Sequence, residues 1–191
     1  VAKSEISKVP LIGTIAKSIG SVFVIRDSKD AAVKDRAQST ATVIMNRAQT
    51  PGAPPMIVFS EGTTTNGSAL LPFRTSAFIS KMPVQPIVLI YGGEDFSPAY
   101  ESIPAIKFLI LSFCQWIQHL KVIYLPVYYP SKAEQEDPKL YASNVRKFMS
   151  EAGGIPLSDM TLVEKREYEE ALNALLKEGK KELKKEKKKD K

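Results

Sequence analysis

The sequence predicts an α/β fold, with a mixed, largely parallel sheet flanked by helices and a charged helix at the C-terminal end. Three observations lead there. Short apolar runs alternate with longer helix-like stretches, Gly and Pro punctuate the joins, and 43% hydrophobic against 25% charged residues over 191 positions suffices for one packed core. Helices between strands imply crossover connections, which in turn imply parallel neighbours covered on both faces. The same composition excludes collagen-like, disulfide-stapled and wholly disordered classes, and no repeat of fixed period is present.

Taken in order, Lys8 to Gly20 reads as a short turn-entered helix closed by glycine. Val22 to Ile25, rich in β-branched and aromatic residues, reads as a strand. Asp27, Ser28 and Asp30 offer N-caps for a polar helix reaching Gln49, which Pro51-Gly-Ala-Pro-Pro55 stops. Met56 to Phe59 has the look of a buried parallel strand, followed by the polar loop Ser60 to Gly67. Pro72 to Ile79 predicts a short helix, and Val84 to Tyr91 a strand whose Pro86 favours an edge or an irregular start.

Ile103 to Leu120 is the most apolar stretch, bounded by Lys107, Gln118, His119 and Lys121, and too short to span a bilayer. It is either a core helix or one lying shallowly in a membrane interface. Within it Cys114, the single cysteine, reads as a buried reduced thiol, which suits a reducing cytosolic environment. His119 reads as an ordinary helix-end histidine. Lys121 to Tyr128 predicts a strand with Pro126 at an edge or bulge. Pro138 to Met149 predicts an amphipathic helix burying Leu140, Val145, Phe148 and Met149. Thr161 and Glu164 have capping-box spacing, so a last helix starts there. The division is residues 1–160 as one domain and 161–191 as a C-terminal helix and lysine-rich tail.

The formal charge of +6 is a property of that tail: Leu176 to Lys191 holds nine lysines against Glu178, Glu182, Glu186 and Asp190, leaving the remainder near neutral. A solvated charged helix explains such a tail, and so does adhesion to anionic lipid; a nucleic-acid partner is not expected. The opening Val-Ala-Lys-Ser-Glu lacks the apolar region and cleavage site of a signal peptide, and the first residue is not Met. The expectation is a fragment of a longer protein. With one Cys and one His, no metal site is expected.

Chemistry is expected where polar loops leave the carboxyl ends of strands. In Glu61-Gly62-Thr63 the glycine permits close backbone approach, the hydroxyl and amides can donate to phosphate or polyol oxygens, and the carboxylate can hold a hydroxyl or a cationic neighbour. The tripeptide equally suits a plain turn with a solvated glutamate. Arg26 ends another apolar strand, where a guanidinium suits bidentate phosphate binding or a surface ion pair with Asp27 or Asp30.

Lys8-Val-Pro-Leu-Ile-Gly13 followed by Val22-Phe-Val-Ile-Arg-Asp27 resembles the second sequence block of the glycerolipid, or lysophospholipid, acyltransferase family. Phe59-Ser-Glu-Gly-Thr-Thr-Thr-Asn66 with Leu71-Pro-Phe-Arg-Thr-Ser-Ala-Phe78 resembles its third block, and Val84-Gln-Pro-Ile-Val88 its fourth. Leu125-Pro-Val-Tyr128 and Pro138 to Arg146 resemble the lysophosphatidylcholine and lysophosphatidylethanolamine acyltransferase branch; the likeness covers roughly Ser4 to Thr161.

The resemblance implies a glycerol-3-phosphate acyltransferase-like fold and transfer of a fatty acyl group from acyl-CoA, a co-substrate with no further cofactor, to a lysophospholipid hydroxyl at a membrane surface. It implies that Arg26 contacts the acceptor phosphate, that Glu61, Gly62, Thr63, Thr64 and Asn66 bind the acceptor, and that Val84 and Pro86 shape the hydrophobic side. Ser60 stands where the family usually has proline. The family's first block, H-x-x-x-x-D, whose His deprotonates the acceptor hydroxyl, is absent from the sequence. The expectation is therefore that the base lies upstream in a longer parent and that this chain alone is inactive. The alternative is a non-catalytic lipid-binding or membrane-docking relative. Lys188-Lys189-Asp190-Lys191 has the pattern of a di-lysine retrieval signal, which suits the cytosolic face of the endoplasmic reticulum membrane.

Overall fold

In the computed structural model the described residues are 2–3, 7–24, 41–92, 105–161, 163–165, 167–168, 170–176 and 179. Strand β1 (Ala2–Lys3) pairs in parallel with β2 (Phe23–Val24), and between them α1 (Ile12–Ser18) is closed by Gly20 at φ 67°. That is the glycine-closed helix the sequence predicts, since only glycine takes this left-handed turn without a Cβ clash. Helix α2, described over residues 41–49, is tied to the end of α1 by Arg47, whose Nη1 donates to the Gly20 carbonyl at 2.6 Å. The candidate caps Asp27, Ser28 and Asp30 lie outside the described residues.

Strand β3 (Ile87–Gly92) pairs antiparallel with β4 (His119–Tyr124), in register from Ile87 opposite Tyr124 to Gly92 opposite His119. A single antiparallel bridge, Val84 to Tyr128, lies beyond the Ile87 end of this pair, and a separate parallel bridge joins Leu70 to Leu157. The expected largely parallel sheet is not seen among the described residues, whose strands make one parallel and one antiparallel pair. A crossover helix yields parallel neighbours only when it packs back onto the sheet. The helix between β3 and β4, α3 (Ala105–Phe113), instead presents Ile106, Leu109, Ile110 and Phe113 to solvent. Residues 56–59 likewise form no strand; Ile57 and Phe59 are exposed, so the expected buried run has no neighbour to pair with among the described residues.

Three further expectations change with β4. His119 opens that strand rather than closing a helix. Cys114, just past α3, is exposed rather than buried. The apolar stretch is not a core helix, since Phe113 is 80% and Trp116 100% exposed. No described helix is long and apolar enough to cross a membrane.

The core lies instead on the C-terminal side. Helix α4 (Lys132–Glu136) begins in a capping box between Ser131 and Glu134, and α5 (Pro138–Gly153) begins with Asp137 accepting from the Lys139 amide at 2.8 Å. Proline at the first position suits a helix start, and Gly154 at φ 63° ends it. Its buried face is Tyr141, Ala142 and Val145, packed on Phe78 behind the short 3₁₀ turn Thr75–Ala77, which stands where a short helix is predicted. Leu140, expected inside, is 40% exposed because it lies one position off that stripe. Tyr141 is fully buried, meets Phe78 edge-on at 4.9 Å between ring centroids, and donates to the Met82 carbonyl at 3.0 Å. A buried phenol without such an acceptor would forfeit much of its packing gain.

Beneath this core Glu134 accepts from Tyr128 Oη at 2.6 Å, Asn144 Nδ2 at 2.8 Å, and the Ser131 amide and hydroxyl at 2.7 Å each. Desolvation raises its pKa, but these donors outweigh it and hold the carboxyl at about 2. Desolvation and the same carboxylate push Tyr128 up to about 12. A depressed carboxyl pKa contributes stability that is complete above the unfolded value and is lost as pH falls through the folded one. Thermal stability is therefore expected to drop between pH 4.5 and 2 through this group. Replacing Glu134 by Gln should cost about 1–3 kcal/mol at pH 7 and flatten that drop, as read by denaturation at pH 7 and pH 3.

Candidate functional site

Ser60 to Gly67 has no regular structure, so side chains and neighbouring segments must hold it. Ser60 accepts from the Arg74 amide at 2.8 Å, and the Gly62 amide donates to the Phe59 carbonyl at 3.1 Å, closing a tight turn. Gly62 is buried at φ 70°, and a Cβ there would run into Arg74 Nε and Cδ. Glycine is thus required twice at this position, for backbone conformation and for the close passage of the arginine. Glu61 reaches across the turn to accept from the Leu71 amide at 3.2 Å.

Two more cations converge from later in the chain. Arg146 on α5 donates from Nη2 to the Leu70 carbonyl at 2.9 Å and the Ser158 carbonyl at 2.5 Å, joining the segment after the turn to the one after α5. Its Nε is buried with no hydrogen-bond partner among the described residues. Lys165 is buried, and its Nζ donates to Thr63 Oγ1 at 3.2 Å and to the Thr64 carbonyl. Thr161 and Glu164 form the predicted capping box just before it, the Thr161 amide donating to Glu164 at 2.6 Å. A cleft of about 160 Å³ lies between the Pro72–Thr75 segment and α5, with Phe73, Thr75, Lys139, Ser143 and Arg146 on its walls.

The electrostatics follow from these positions. Burial raises the Glu61 pKa, opposed by the Leu71 amide and by the charges of Arg146 and Lys165, and the net direction is upward. One half-buried carboxylate with Arg74, Arg146 and Lys165 near it leaves the site positive. Small polar side chains and backbone amides around such charge suit an anionic, hydroxyl-bearing ligand.

Of the residues singled out in the sequence, Glu61, Gly62, Thr63 and Thr64 lie together in this turn. Asn66 lies at its rim, where its Oδ1 accepts from the Ser68 amide at 3.0 Å. Val84 pairs with Tyr128 and packs against the aromatic core, and Pro86, buried beside it, accepts from the Leu125 amide at 3.0 Å. Both lie just ahead of β3. Arg26 lies outside the described residues. Arg146 and Lys165 carry no site signal in the sequence: each is one basic residue on a charged helix, and such residues ordinarily face solvent.

Residues 1–90 match the family model described as Acyltransferase. The chain carries an acyltransferase-family domain. It is 44% identical over 176 residues to the lysophospholipid acyltransferase LPEAT1 of Arabidopsis thaliana, covering 92% of this chain and 44% of that protein. Against lysophosphatidylcholine acyltransferase 1 of Danio rerio it is 41% identical over 162 residues, and against that of Homo sapiens 39% over 164, in each case about 30% of the relative. The chain thus spans less than half the length of these curated relatives. No solved structure matches it. The acyltransferase match covers the Glu61 turn and Arg74 but ends before Arg146 and Lys165.

The raised Glu61 pKa has a stability consequence. Between the unfolded carboxyl value and the higher folded one, the folded chain holds a proton that the unfolded chain releases, so stability falls as pH rises through that window. Glu61→Gln keeps an acceptor for the Leu71 amide and removes the buried charge. The variant is expected to unfold at a urea concentration no lower than the parent's at pH 7, with any advantage vanishing below about pH 4.

Proposed function

We propose that this chain supplies the acceptor-binding part of an acyl-CoA:lysophospholipid acyltransferase acting in phospholipid synthesis or remodelling. The observation that carries the reading is the Glu61-Gly62-Thr63 turn, half-buried at Glu61 and Thr63 and ringed by Arg74, Arg146 and Lys165. A lysophospholipid offers both chemistries this turn suits, a phosphate for cations and amides and a free hydroxyl for a carboxylate. The hydroxyl oxygen attacks the thioester carbonyl, the C–S bond breaks, and the hydroxyl proton is taken by a base and returned to the departing CoA sulfur. The resemblance assigns that base to an H-x-x-x-x-D pair, a motif these 191 residues do not contain. The relatives' names, lysophospholipid and lysophosphatidylcholine acyltransferases, support the same acceptor class.

In the complete protein, Glu61→Ala is expected to lower kcat/KM for lysophospholipid by about 100-fold or more, with the folded structure retained. Normal turnover by that variant would remove the assignment. Lysolipid binding without turnover by the parent would favour the non-catalytic alternative.

The membrane surface, taken to be the cytosolic face of the endoplasmic reticulum, is the other proposed partner. Its support is the face built by Ile106, Leu109, Phe113, Trp116 and Ile117, all exposed and flanked by exposed Lys107 and Lys121. Apolar side chains bordered by cations match the acyl boundary and headgroups of an anionic bilayer. Phe113→Ser with Trp116→Ser is expected to weaken co-sedimentation with phosphatidylcholine–phosphatidylserine vesicles by about tenfold or more. Unchanged sedimentation, with the apolar face covered by protein instead, would contradict this placement.

A further inference from the structure

The Glu61 turn is anchored from the far end of the chain. Lys165 is 7% exposed, and its ammonium reaches Thr63 Oγ1 and the Thr64 carbonyl, some 100 residues earlier in sequence. A lysine is seldom buried unless its ammonium finds acceptors. Glu164 is exposed and accepts from the Thr161 amide, and Glu167 is also exposed. The capping box fixes where the helix begins, and the Lys165 amide donating to the Thr161 carbonyl at 3.1 Å sets the lysine one turn in, facing the loop.

The loop's own bonds in this stretch are short-range and exposed: Thr63 Oγ1 to the Thr64 carbonyl at 3.4 Å, the Gly67 amide to Thr65 Oγ1 at 3.3 Å, and the Ser68 amide to Asn66 at 3.0 Å. Such bonds define local turns without fixing the loop to the body of the protein. Lys165 supplies that fixation at Thr63 and Thr64, while the Arg74 and Leu71 amides supply it at Ser60 and Glu61.

We propose that Lys165 is a positioning residue of the acceptor site, holding Thr63 and Thr64 so that the turn presents its amides and hydroxyl to the phosphate-bearing headgroup of a lysophospholipid. This rests on the acyltransferase reading above. It makes the segment after α5, beyond the residues that match the family model, an integral wall of that site. Lys165 acts through the turn and needs no contact with the reacting atoms.

The test compares Lys165→Met, of similar length without the donor, with Lys165→Arg in the complete protein. Lys165→Met is expected to speed amide exchange of residues 62–66 by about tenfold while α5 keeps its protection. It should also raise KM for lysophospholipid by about tenfold, with KM for acyl-CoA moving less than about twofold. Lys165→Arg should restore most of both effects. Unchanged exchange at 62–66 would overturn the proposal, as would both KM values rising together with α5 deprotected, since a merely structural lysine gives that pattern. If the parent transfers no acyl group at all, the acyltransferase reading fails, and the exchange comparison alone still decides whether Lys165 positions the turn.

Discussion

A turn with no helix or strand of its own must borrow its shape from whatever it touches, and the residues around Glu61 are in that position. Each tether comes from a different place. The Leu71 amide fixes the carboxylate, the Arg74 side chain lies across Gly62, and Lys165 holds Thr63 and Thr64. Arg146 then binds the segment after the turn to the segment after α5 through the Leu70 and Ser158 carbonyls. The hydrophobic core of Phe78, Tyr141, Ala142 and Val145 places α5, and therefore Arg146, against this wall. Packing on the C-terminal side is what makes the turn's geometry reproducible from one molecule to the next.

The same arrangement carries an energetic cost that a purely structural turn would avoid. Glu61 is partly desolvated and its pKa is raised, even with an amide and two cations nearby. Glu134 shows the contrary case: it is buried too, yet four donors meet its oxygens and its pKa falls to about 2. The contrast separates a carboxylate whose bonding capacity is filled by the protein from one whose capacity is partly left over. A carboxylate of the second kind, in a positive and solvent-reachable turn, is suited to receive a ligand's hydroxyl.

Elements that depend on neighbours in sequence were legible from sequence. The Thr161–Glu164 capping box, the Gly20 helix stop and the amphipathic helix from Pro138 all rest on interactions within a few residues. Strands β3 and β4 were legible as apolar runs, but strand pairing and burial, which depend on distant partners, were not. Met56 to Phe59 has the composition of a buried strand, but no neighbouring strand is present among the described residues, and Ile57 and Phe59 stay exposed. Helix α3 is apolar enough for a core, yet Ile106, Leu109, Ile110 and Phe113 stay exposed, β3 and β4 pair antiparallel, and Cys114 is exposed. The Glu61 turn was visible as a motif, while Lys165 and Arg146 were invisible because single basic residues on helices are common and their burial is decided by the tertiary fold.

The central claim is that the Glu61 turn receives the headgroup of a lysophospholipid. The most direct measurement is photo-crosslinking of the complete protein with a lysophospholipid carrying a diazirine beside its phosphate, followed by mass-spectrometric mapping of the labelled peptide. Adducts within Ser60 to Arg74, competed away by unmodified lysophospholipid, are the predicted result. Competable labelling confined to peptides remote from that turn, with none between Ser60 and Arg74, would contradict the account.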